Sequence, residues 1–193
     1  MANPSYIDAD GVLTEPEAWV GILTQNITSN SALITFQSTN DGQVGDWSQY
    51  MDLVLISYAR SEVASAFGGC YLHINNDTTG HYHRQYLWGN GSNVYAGSAT
   101  TQTYVPFGDI PANSAGANIF GCGIAHLYDI NSGKYKSVTT HSAGDRNGSG
   151  WVQMDAAILP SQAPITELDI SASADIVIGS QFSLFGILPR MVA

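Results

Sequence analysis

This sequence predicts an all-β protein, and three observations carry that prediction. The run Tyr50-Met51-Asp52-Leu53-Val54-Leu55-Ile56-Ser57-Tyr58-Ala59-Arg60 puts Met51, Leu53 and Leu55 on one face of a strand and Val54, Ile56 and Tyr58 on the other. Its middle therefore asks for cover on both sides, and only Asp52 and Arg60, near the ends, ask for water. Turn-forming clusters recur at the roughly 8–12-residue spacing of sandwiches and barrels. No segment long enough for a substantial helix keeps a clean 3.6-residue apolar repeat. Together these predict a two-sheet antiparallel β-sandwich, jelly-roll-like, of about ten strands.

Residues 1–18 carry Pro4, Gly11 and Pro16 with sparse hydrophobics (Tyr6, Ile7, Val12 and Leu13), which predicts an extended N-terminal arm ahead of a single sandwich domain over 19–193. Such an arm is expected to be dispensable for folding, because its few apolar side chains cannot form a core of their own. The first strand is expected over 19–27. In the second, Ala32, Ile34 and Phe36 alternate with Leu33, Thr35 and Gln37, and the turn-like Thr28-Ser29-Asn30-Ser31 between the two predicts a hairpin.

After the Gly-rich loop over 40–45, a short helical turn fits 46–49, just before the central strand. Beyond that strand, Cys70, Leu72 and Ile74 alternate with Tyr71, His73 and Asn75, and a polar turn follows over 75–80. Tyr82, Arg84, Tyr86 and Trp88 then line one face of the next strand, with His83, Gln85 and Leu87 on the other, which predicts a β-meander. The Gly-, Ser- and Asn-rich stretch 89–103 reads as a long surface loop and a candidate contact surface. Further strands are expected over 102–107, 119–128, 135–141, 151–159, 165–172 and 181–188.

Hydrophobic residues make up 44% of the chain and charged residues 11%, a composition that a disordered protein lacks. The net charge of -10, from 16 acidic and 6 basic side chains, argues against nucleic acid and anionic membranes as partners. Cys70 and Cys122 are too few for a disulfide framework. Each sits in an apolar alternating stretch and is expected as a buried free thiol, with a single bridge between neighbouring strands as the other option. The first ten residues have neither the basic nor the apolar region of a signal peptide, and no apolar run approaches the ~18 residues of a membrane helix. A soluble protein made in a cytoplasm is the expectation.

The chain carries little recognisable chemistry. Gly148-Ser149-Gly150 and Gly121-Cys122-Gly123 lack the spacing of a nucleophile elbow, and no phosphate-cradling loop ends in Lys. His81 and His83, two apart, are able to share a strand face, with Asp77 as a third metal ligand; the plainer reading is a hydrogen-bonded pair at a hairpin end. His73, His126 and His141 are isolated from one another. Glu62, Asp129, Asp145, Asp155, Glu167 and Asp169 are scattered, so no acid and base pair stands out. Asn26, Asn76, Asn90 and Asn147 open Asn-X-Ser/Thr sequences of the kind an Asn- and Ser-rich composition produces by itself. No catalytic residue, cofactor or metal site is therefore expected, and the chain reads as a non-enzyme. Trp47, Trp88, Trp151, Tyr82, Tyr86, Tyr95 and Tyr104 suit either a sugar-stacking surface or an aromatic core, and the sequence does not place them on one face.

Several stretches of the chain also resemble a known group of proteins. Tyr50-Met51-Asp52-Leu53-Val54-Leu55, then Tyr58-Ala59-Arg60-Ser61, Asn75-Asn76-Asp77, Tyr82, Tyr86-Leu87-Trp88-Gly89-Asn90-Gly91-Ser92 and the closing Gly179-Ser180-Gln181-Phe182-Ser183-Leu184-Phe185-Gly186-Ile187 resemble virion structural proteins of tailed bacteriophages. Such proteins are found as capsid decoration proteins and as parts of tails or fibres. The resemblance implies a place in the virion, assembled in a host cytoplasm, and a decoration (cement) role through contacts with the major capsid protein and with other copies of the chain, a trimer being the expected oligomer. The residues expected to make those contacts are Tyr6, Ile7, Val12 and Leu13 in the arm and Leu188, Met191 and Val192 at the apolar C-terminal end. The alternative is a receptor-binding or carbohydrate-binding module of a tail or fibre, with a glycan as partner. A polysaccharide hydrolase is the weakest reading.

Overall fold

The computed structural model describes residues 19–146 and 148–188. The expected arm, with Tyr6, Ile7, Val12 and Leu13, lies outside the described residues, as do Met191 and Val192.

Twelve strands follow one another: Trp19–Asn26 (β1), Ser31–Gln37 (β2), Asp52–Ala59 (β3), Phe67–Ile74 (β4), Tyr82–Gly89 (β5), Val94–Gln102 (β6), Val105–Pro111 (β7), Gly121–Tyr128 (β8), Lys136–Asp145 (β9), Gly150–Leu159 (β10), Glu167–Ile176 (β11) and Gln181–Ile187 (β12). One-turn 3-10 helices stand at Trp47–Gln49, where a helical turn was expected, and at Asn113–Ala115. The strands form an eight-stranded sheet, β1-β12-β3-β8-β9-β10-β5-β6, and a four-stranded sheet, β2-β11-β4-β7, antiparallel throughout.

Eight strands, β1-β12-β3-β8 opposite β2-β11-β4-β7, have the interleaved order of a jelly roll, in which the chain passes back and forth between the two sheets. The hairpins β9–β10 and β5–β6 pair through β10 and β5 and extend the larger sheet beyond it. The larger sheet thus has four strands more than its partner sheet; of the surfaces described below, one runs from β3 and β8 out across that extension and the other lies beneath it.

Jelly-roll winding replaces the two local pairings read from the sequence. β1 pairs with β12 and β2 with β11, in different sheets, so no hairpin joins them. β4 and β5 are likewise split, so there is no meander there. The reason is common to both: Val20 from one sheet and Ile34 and Phe36 from the other reach one core, and linked strands that face each other across it bury both apolar sets. The core continues through Leu72, Ile74, Phe107, Leu127, Ile170 and Phe182, all essentially inaccessible, each stabilising the fold by about 1.5–3 kcal/mol relative to exposure. The stretch read as a loop over 89–103 contains β6, an edge strand hydrogen-bonded to β5. Its Ala, Gly, Ser and Thr residues lack the apolar alternation that marks a half-buried strand.

The central strand β3 reverses the sequence expectation at its middle and at its ends. Leu53, Leu55 and Ala59 enter the core and Val54 is buried on the outer face, but Ile56 and Tyr58 are 39% and 51% exposed. Asp52 and Arg60, assigned to water, are buried and held by protein. Asp52 Oδ1 accepts from the Asp129 amide at 2.7 Å and Oδ2 lies 3.0 Å from His126 Nε2; Arg60 Nη1 donates to the Gly116 and Ile119 carbonyls at 2.6 and 3.0 Å. Both cysteines are free thiols. Cys70 is buried, its thiol pushed up to about 12 by that burial, whereas Cys122 is exposed because it points outward from β8.

Candidate functional site

Strand register assembles two rows across the outer face of the larger sheet. One runs Ile56, Ile124, His141, Met154, Leu87, Ala96 and the next Tyr58, Cys122, Ala143, Val152, Gly89, Val94, each residue directly opposite its neighbour. Opposed side chains in a sheet have Cβ atoms about 4.5–5.5 Å apart, so each row is a continuous strip. Val152, Leu87 and Met154 are 63%, 47% and 46% exposed. Neither row contains an Asp, Glu, Lys or Arg. At one end, the stacked rings of Tyr58 and Phe120 (centroids 5.2 Å apart) border a shallow concavity of about 570 Å³ floored by Cys122, Ala143 and Val152. Contiguous exposed apolar side chains of this kind make the strip a candidate contact surface.

On the inner side of the same extension lies a cleft of different chemistry. β7, the edge of the smaller sheet, packs over β8, β9 and β10, and Thr140 Oγ1 donates to the Pro106 carbonyl at 3.0 Å. β5 and β6 reach past it as an overhang. A cavity of about 320 Å³ lies between, lined by Tyr71, Tyr104, Pro106 and Asp109 from the small-sheet side and by Arg84, Tyr86, Trp88 and Gln153 from the large.

Local sequence explains how these side chains are held. Trp88 stacks on its cross-strand partner Tyr95, centroids 4.3 Å apart. Tyr86 lies over its partner Gly97, where a Cβ would meet Tyr86 Oη at 2.7 Å. Tyr71 meets Tyr104 at 4.3 Å and its hydroxyl reaches Ser173 Oγ at 3.1 Å. Arg84 sits 4.7 Å above the Tyr86 ring and donates from Nη1 to Asp155 Oδ1 at 2.9 Å, while Gln153 Nε2 donates to Asp155 Oδ2 at 2.6 Å. Burial raises the Asp155 carboxyl above its ordinary value, with Gln153 and Arg84 opposing the shift. Burial also raises Asp109, the nearby Asp155 charge adds to the effect, and Arg84 opposes it. The Asp109 carboxylate has no hydrogen-bond donor among the side chains and loop amides of the described residues, while its backbone belongs to the β4–β7 ladder.

Of the contact residues expected from sequence, only Leu188 is described, and it packs half-buried against the sandwich's own core. The aromatic set is divided. Trp47 and Tyr82 belong to the core, Trp151 is buried against Phe67 (5.4 Å), and Tyr86, Trp88 and Tyr104 line the cleft. His81 Nδ1 lies 2.9 Å from Thr79 Oγ1 and 3.3 Å from Asp77 Oδ2, ahead of the strand that carries His83. Among the described residues no group of three His, Cys, Asp or Glu side chains is arranged to hold a metal ion. Of the scattered acids, Asp155 is the one at the cleft. Sequence reasoning missed Asp109, whose only signal is an acid inside the apolar run Val105–Pro111.

Comparison with known protein families, characterised proteins and solved structures gives no match for this chain.

Proposed function

We propose that this chain is a structural subunit of a virion, of the capsid-decoration type, which acts by contact and carries out no reaction. The observation that supports this best is the pair of uncharged, exposed apolar rows on a chain of net charge -10. Copies so charged repel one another wherever acids meet, and these rows are a surface on which two copies approach without opposing like charges. The occupant of that face is another copy, and the contact with the major capsid protein falls to the arm residues Tyr6, Ile7, Val12 and Leu13. Jelly rolls serve in viral capsids and in lectins alike, so the fold is compatible with this reading and does not select it.

Sedimentation of the full chain tests the assembly half. The native protein is expected to form a concentration-dependent oligomer, a trimer by the resemblance. The double variant Val152→Glu/Met154→Glu is expected to be monomeric with a Tm within a few degrees of native, since both side chains already face water. A native protein that stays monomeric at every accessible concentration overturns it. Immunogold labelling of virions tests the location: label on the heads is expected, and particles without label overturn the reading.

A further inference from the structure

We propose that the cleft beneath the β5–β6 overhang is a binding site for a neutral saccharide of one or two pyranose rings. This site is separate from the assembly face and lies on the other side of the same strands.

The rings in the cleft are not there to fill the core. Tyr71, Tyr86, Trp88 and Tyr104 all stand outside the contiguous core cluster, which Tyr82 and Trp47 join. At about 320 Å³ the cleft is at the small end of the ~300–1,000 Å³ typical of small-molecule sites. Its lining alternates aromatic faces with planar polar groups. A pyranose offers the matching pair of surfaces: faces of C–H groups that pack on aromatic rings, and a rim of neighbouring hydroxyls that a carboxylate, an amide or a guanidinium engages two at a time.

Charge decides among ligand classes. Aromatic rings beside a carboxylate also suit a quaternary ammonium ion, but the Tyr86 ring already carries the Arg84 guanidinium at 4.7 Å, and a second cation there meets a like charge. An anion meets Asp109 and Asp155. With Arg84 paired to Asp155, the remaining requirement is for hydroxyl donors to the Asp109 carboxylate, which has no donor among the side chains and loop amides of the described residues. A neutral polyol supplies them. The lining is also pre-organised: Gln153 and Arg84 are fixed by Asp155, Trp88 by Tyr95, and Tyr86 by the space above Gly97, so little ordering is left for binding to pay.

The test is titration of the full-length protein with glucose, galactose, N-acetylglucosamine, cellobiose, lactose and chitobiose, read by NMR at the Trp88 indole N–H and at the β5 and β7 amides. A saturable shift at these resonances with at least one sugar is expected. Asp109→Ala and Gln153→Ala should each weaken it by about tenfold, the loss of a hydrogen bond to a charged or buried partner. Gln153→Ala keeps the test decisive if Asp109→Ala does not fold. The double variant Val152→Glu/Met154→Glu should bind sugar as the native protein does, so failure of the assembly reading and failure of this one are told apart. The proposal is overturned if none of the sugars shifts these resonances, if the shifts map elsewhere or persist undiminished in the variants, or if tetramethylammonium or inorganic phosphate saturates the cleft and the sugars do not.

Discussion

Asp109 shows how a single residue changes the character of a surface. It stands in a strand of apolar neighbours, faces the cleft and is held above its ordinary carboxyl value of 3.8 chiefly by burial. A carboxyl raised in this way binds its proton more tightly in the folded protein than in the unfolded chain. Its contribution to stability is therefore fully present below the unfolded value and is lost as pH rises through the folded one. Asp109→Asn, which is neutral at every pH, should raise the Tm by a few degrees at neutral pH, and the gain should shrink towards zero in mild acid. Thermal melts of the two proteins at both pH values check this; a gain that grows in acid overturns the assigned direction. Part of the cleft was legible before the structure, because the alternation of Tyr82, Arg84, Tyr86 and Trp88 puts them on one face of one strand. Asp109 was not, since an isolated acid carries no period and the charges that act on it, Arg84 and Asp155, come from two other strands on either side of it in the chain.

Strands were more legible than their partners. Alternation marks an element and its two faces, and every strand with an apolar face was visible in that way. Which sheet a strand joins depends on long-range pairing, to which turn chemistry between neighbours is blind, so the two expected local pairings gave way to jelly-roll crossings. β6 escaped because an exposed edge built of small polar residues has the composition of a loop. The element that shapes the cleft, β7, turns on Gly108. There φ is +94, the register with β4 shifts between Cys70 and Tyr71, and a Cβ would stand 1.8 Å from Ser142 Oγ of β9. A side chain at that position meets both a left-handed backbone and the strand packed beneath it. Gly108→Ala is expected to cost about 2–4 kcal/mol, combining backbone strain and overpacking, as measured by denaturant unfolding. A loss below about 0.5 kcal/mol, the range of ordinary surface substitutions, would show that β7 shifts freely over β9.

At the scale of the whole molecule, charge and apolar surface are kept apart. The net charge of the chain is -10, while the outer face of the larger sheet carries two rows free of Asp, Glu, Lys and Arg. Association through such a face has a distinctive salt dependence. At about 0.01 M salt the screening length is about 30 Å, so acids anywhere on one copy repel those on another even when none lies in the contact; at 0.15 M it falls to about 8 Å and that repulsion is confined to near neighbours. The apolar contact itself is not weakened by this screening, and salts excluded from protein surfaces, sulfate above all, strengthen it. Self-association of the full chain is therefore expected to tighten by about tenfold between these two ionic strengths and further in sulfate. An interface built on complementary charges would loosen over the same range. Sedimentation equilibrium across a salt series decides between them, and weakening with added salt would place the contact on the charged part of the surface rather than on Ile56, Met154 and Val152.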